Sequence, residues 1–144
     1  MQKNQKVSFA QFLDKFPEIE LPITLNDEIH HSFSQNNEPF NALMINQIIE
    51  ALDDEEVDDL TEYIPCFRIP ETHEFHAVVF WKAGLMNYQY IMATFEKKGK
   101  LIDKRVIGGT YSDGKTITKS VSTIDVDWVI YVVTGQSDGE DNSY

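Results

Sequence analysis

The chain has 144 residues, enough for one domain that buries its own core, and 42% of them are apolar, an ordinary share for a globular protein. Twenty-four acids against twelve bases leave a formal net charge of −12. That balance disfavours general nucleic-acid binding, because phosphates are repelled and few counterions are released, and it permits a basic protein partner.

The opening stretch MQKNQKVSFAQF lacks the apolar run of a secretory signal, and no stretch approaches a membrane span. Cys66 is the single cysteine, so no internal disulfide forms. These features set the expectation of a cytoplasmic protein, with a single domain over 1–136 and a flexible polar tail over 137–144.

Ser8 opens the first element. Phe9, Phe12, Leu13 and Phe16 follow at helical spacing, Gln11 completes a capping box, and Pro17 ends the helix. These large apolar residues read as core, with a ligand groove as the sharper alternative. Leu21 to Leu25 is a short edge strand, where Pro22 is tolerated because an edge N–H faces solvent. Asn26 to Asn37 is polar and partly helical. Asn37 or Asn41 caps the next helix, whose apolar stripe is Met44, Ile45, Ile48, Ile49 and Leu52.

An acidic run follows: Asp53, Asp54, Glu55, Glu56, Asp58, Asp59 and Glu62. Tyr63 to Ile69 is a strand with Pro65 inside it, hence at an edge or bulge. Phe75 to Trp81 is another strand. Met86 to Gly109 then reads as a hairpin. Tyr88, Tyr90, Met92 and Thr94 alternate with Gln89, Ile91, Ala93 and Phe95, and Gly99 supplies the positive φ of the turn. Both faces of this hairpin carry apolar residues, so both need cover. Thr116 to Ile124 and Trp128 to Thr134 are the last strands. The fold class expected is α+β, with N-terminal amphipathic helices packed on a C-terminal antiparallel meander of about five or six strands.

Gly109 to Thr116 matches GxxxxGK[ST] letter for letter. Phosphate binding by that motif requires a helix to open at the Lys-Thr pair. The sequence from Thr116 onward, TITKSVSTID, is that of a strand, so the match is a hairpin turn and not a nucleotide site. His73 and His76 lack the HExxH spacing of a metal pair, and on a strand their odd offset sends the two rings to opposite faces. Cys66 reads as a buried thiol, and no serine sits in a nucleophile elbow. No cofactor and no catalytic residue is expected.

Charge is segregated. From Asp14 to Glu74 there are sixteen acids against Lys15 and Arg68, whereas Lys97 to Lys119 holds seven bases against Asp103 and Asp113. Either the two regions attract each other within one fold, or the acidic one steers a basic partner. Homo-oligomerisation through opposite patches is a further possibility. His76, Trp81, Tyr88, Tyr90 and Trp128 are candidates for an aromatic surface or for the lining of a cleft between helices and sheet.

The segments FLDKFPEIELPITL, AGLMNYQYIMATFEKKGKLIDKRVIGGTYSDG and SVSTIDVDWVIYVVTG resemble the shared pattern of a family of small bacterial proteins of unknown function: F-L-x-x-F-P-x-x-x-L-P, a tyrosine-rich strand, T-F-[DE]-K-x-G-x-L-I-D and I-D-x-D-W. The resemblance implies a common fold ending in a sheet and brings no activity, cofactor or site residue. The functional expectation is an acidic, non-enzymatic interaction module, such as a regulatory or immunity-type inhibitor of a basic partner. The alternative is a small-molecule-binding module or an enzyme using that cleft.

Overall fold

A computed structural model describes residues 6–52, 60–85 and 87–138. It is mostly antiparallel sheet. Seven strands, β1 (Ile23–Leu25), β2 (Glu62–Arg68), β3 (Phe75–Ala83), β4 (Asn87–Glu96), β5 (Leu101–Ser112), β6 (Thr116–Ile124) and β7 (Ile130–Asp138), are joined with short helices. β2 to β7 run as a six-stranded meander, each pairing with the next in sequence. The antiparallel sheet expected from the sequence is there, with β1 added to it on β6.

The helical part is slighter than expected. α1 (Phe9–Leu13) is a single turn and a half, held by the Ser8–Gln11 capping box. α2 (Ile29–Asn36) is the one uninterrupted helix of two turns among the described residues, and its first amide, with that of Glu28, is met by Asn26. A third helical run starts at α3 (Ala42–Met44), capped by Asn41, passes through a π-helical stretch (Ile45–Ile49) and includes α4 (Glu50–Leu52).

Period-two alternation divides the core into two clusters. Val78, Phe80, Ile91, Ala93 and Phe95 join Phe12, Phe16, Met44, Ile49 and Leu52 from the first and third helical runs. Ala77, Val79, Trp81 and Tyr90 join Phe67, Leu25, Ile124 and Phe33 of α2. Complete burial of a side chain such as Phe12 or Phe67 is worth roughly 1.5–3 kcal/mol relative to exposure. The expectation that both faces of the hairpin are covered is met along β4, by helices on one side and by α2 and the curling sheet on the other, but not along the first half of β5, where Leu101, Ile102 and Val106 are exposed.

The curl originates in β5. Nearly its whole length pairs with β4, but only Gly109–Ser112 pairs with β6, and β1 takes over that edge of β6 at Ser122. The register of β4 on β5 shifts beside Ile107. Gly109 sits at φ +140°, where a Cβ would lie 2.2 Å from the Tyr88 carbonyl oxygen. Only glycine fits there. At the other end of the hairpin Gly99, φ +107°, turns the chain against the Phe9 ring.

The phosphate-motif look-alike is a turn, as the strand sequence after it indicates. Thr116 opens β6, and the Asp113 carboxylate accepts the Lys115 and Thr116 amide N–H groups at 2.9 and 2.8 Å. Those are two of the amides a bound phosphate would need, and their bonds hold the Asp113 carboxyl below the usual range.

Both ends of β7 differ from expectation. Trp128 lies in the β6–β7 turn at φ +70°, where its N–H bonds the Asp125 carbonyl and the Asp125 N–H bonds the Val129 carbonyl, so β7 starts at Ile130. β7 then continues to Asp138 because its partner strand extends back to Thr116, which pairs with it. Ser137 and Asp138 therefore belong to the sheet and not to a tail, and the other residues of the expected tail lie outside the described part.

Candidate interaction surfaces

The aromatic residues expected to share one surface are distributed over three places. Trp81 and Tyr88, on neighbouring strands, lie 6.0 Å apart between ring centres. His30, from α2, stacks on Trp81 at 4.3 Å with the planes 3° apart, and the His31 ring lies 4.0 Å from that of His30. Tyr90 is buried beside them and donates its hydroxyl to the Asn26 carbonyl at 2.9 Å. Burial holds its phenol far above the usual range. His76 points to the other face and meets Phe9 at 5.7 Å, because an odd offset along β3 sends it opposite to Trp81. Trp128 stands edge-on to Phe75.

His30 is the member that sequence reasoning missed. Its signal was local: Ile29 and Phe33 mark the buried stripe of α2, and His30 adjoins it. His30 Nδ1 and Trp81 Nε1 are both buried without a hydrogen-bond partner among the described residues. Burial lowers the His30 pKa, and the neighbouring His31 lowers it further. The rings fill the space between α2 and the sheet with each other.

A shallow groove of about 140 Å³ opens where β5 bends, between Tyr88, Val106, Gly108, Tyr111, Ser120 and Val132. A small-molecule site usually encloses about 300–1,000 Å³. The groove has room for one partner side chain. Cys66 is wholly buried, with its thiol pKa raised by burial, as its sequence context suggested. No group of three metal-ligating side chains is found among the described residues.

The expected acidic contact set lies largely outside the described residues: 53–59 are not described, and Glu62 is exposed at the start of β2. Of the nine other acids between Asp14 and Glu74, eight are exposed. The exception is half-buried Asp27, whose carboxylate meets Lys119 at 2.5 Å and accepts the Thr110 hydroxyl at 3.2 Å. The bond from Lys119 to Asp27 raises the Lys119 pKa. The two bases of this region are already engaged within it, Lys15 with Glu38 and Arg68 with Glu18.

A second surface includes Trp128, the one member of the expected aromatic set that lies on it. Val126, Trp128, Val129, Tyr131, Val132 and Val133 are all exposed, Val133 to 73%. They belong to the β6–β7 turn and to β7, which pairs only with β6 among the described strands.

Comparison with known proteins found no matching family model, no matching curated protein and no matching solved structure.

Proposed function

We propose that the chain is a non-enzymatic, acidic protein-interaction module, of the regulatory or inhibitor type, whose partner is a basic protein. One observation carries this reading. Lys15 and Arg68, the bases of the acidic half, are paired with acids of that half, while Asp14, Glu20, Glu28, Glu50, Glu62, Glu71 and Glu74 stay exposed. Surface pairs of this kind add little stability. Excess negative potential on one side instead accelerates encounter with a positive patch and discriminates against acidic proteins.

The cleft reading has less in its favour. His30 stacks on Trp81 with Tyr88 tilted against both, the groove beside Tyr88 is small, and the larger hollow of about 400 Å³, among Gln11, Asp14, Lys15, Glu38 and Asn41, contains none of the aromatic residues expected to line a cleft.

The test is affinity capture from host extract at low and moderate salt, with a charge-reversed chain (Glu20→Lys, Glu28→Lys, Glu71→Lys) as comparator. The expected result is a basic protein held at low salt, weakened as salt rises, and lost with the reversed chain. Recovery of the same proteins by both chains would reject the reading.

A further inference from the structure

We infer that two copies of this chain pair edge to edge along β7, antiparallel across a two-fold axis at Val132, to form one continuous sheet. The inference does not depend on the acidic-face reading and uses a different part of the molecule.

The sheet has three long edges; β2 is covered by its own chain, and the free part of β5, though it exposes Leu101, Ile102 and Val106, is interrupted by charges. Along β2, Pro65 removes a donor and the register shifts between Pro65 and Phe67. Asn37 Nδ2 donates to the Pro65 and Cys66 carbonyls, both at 2.8 Å, and the Arg68 N–H bonds the Pro17 carbonyl at 2.9 Å. Along the part of β5 not paired with β6, Lys104 and Arg105 supply the charges that discourage strand addition.

β7 has no proline and no break in register, and its one charge, Asp138, is at its last position. Trp128 to Ser137 reads WVIYVVTGQS, without a charge or a proline. Tyr131, Val132 and Val133 are exposed on both of its faces. A long, uncharged, apolar open edge is a template for another strand.

The order of residues about Val132 selects the occupant. A two-fold axis there places Val132 against itself, and Tyr131 against Val133 of the second copy, twice. Aromatic and β-branched residues opposed in this way are favourable cross-strand pairs. Further out, Ile130 meets Thr134, the last pair that lies within both strands, because β7 starts at Ile130. No like charges oppose each other. The pattern is self-complementary, as a two-fold interface requires.

Charge distribution agrees. A monomer of net charge −12 resists its own kind, but the acids concentrate between Asp14 and Glu74, whereas Lys97 to Lys119 is basic. β6, the strand beside β7, contains the end of that basic region, so pairing along β7 does not bring the two acidic runs into the shared ladder.

Sedimentation velocity across the micromolar range tests this, with thermal unfolding as a fold control. The wild-type chain is expected at the two-chain mass. Val132→Lys, which opposes two ammonium groups at the axis, is expected at the one-chain mass, with a dimer dissociation constant raised roughly 100-fold or more. Disulfide trapping supplies the register: Val132→Cys should cross-link two chains on mild oxidation, because residues directly opposed lie about 4.5–5.5 Å apart between Cα atoms. Thr134→Cys, displaced from the axis, should not, and buried Cys66 does not compete. A wild-type chain that stays monomeric overturns the inference. So does a dimer that survives Val132→Lys, or one in which Thr134→Cys cross-links and Val132→Cys does not. Dimer mass should also persist at high salt, unlike capture by the acidic half.

Discussion

The two outer strands of the sheet are treated in opposite ways. β2 is interrupted by Pro65, bonded by Asn37 and tied to the segment after α1 through Arg68 and Pro17. β7 is regular throughout, paired with β6 at every position from Ile130 to Asp138, and bare on its outer side among the described residues. The contrast marks where the chain's own folding ends. At β2 the Pro65 and Cys66 carbonyls and the Arg68 N–H are met by the same chain, and at β7 the outer groups are left for solvent or for another strand.

The largest perturbation of this contrast is at the bend that sends β5 away from β6. Gly109→Val places a side chain on the Tyr88 carbonyl and forces the backbone from φ +140°. The expected loss is about 3 kcal/mol or more, read as a fall in the urea midpoint. Opening the protected edge comes next. Asn37→Ala removes two bonds to β2 carbonyls and should cost about 1–3 kcal/mol, with faster amide exchange confined to β2 and α2.

A smaller effect concerns the stack beneath α2. The folded state holds His30 neutral, with its pKa below the unfolded value. Its contribution is therefore fully present above about pH 6.5 and is lost as pH falls through the folded pKa. Thermal midpoints measured from pH 7.5 down to 5 should fall more steeply for the wild-type chain than for His30→Gln. Equal slopes would show that the stack does not couple to protonation. The smallest effect on stability is expected at the open edge itself. Val132→Lys should shift the unfolding free energy of the isolated monomer by no more than about 0.5 kcal/mol, since the side chain touches little there.

Much of the sheet was legible because its residues obey a two-residue period. The alternation of Tyr90 against Ile91, Ala93 and Phe95 assigns each side chain to the cluster it joins. Gly99, Pro65 and the Ser8–Gln11 pair each mark a local geometry that only a few residue types satisfy, and each is found there. The features that were not legible depend on distant partners. Asn26 to Asn37 looks merely polar until α2 places His30 on Trp81, a contact between residues far apart in sequence. The grouping of His76 with Trp81 failed because strand parity, which the sequence does display, sends them to opposite sides. The extent of β7 could not be read from Gly135 to Asp138, which are poor strand formers. It is set by the length of β6.

The placement of the two tryptophans makes the molecule its own optical instrument. Trp81 is enclosed under an imidazole ring, whereas Trp128 stands 44% exposed beside the start of β7. Their emission should separate into a blue component that dims as His30 gains a proton and a red component accessible to iodide. One spectrum thus follows the seating of α2 and the occupancy of the neighbouring edge as two independent signals, without any label.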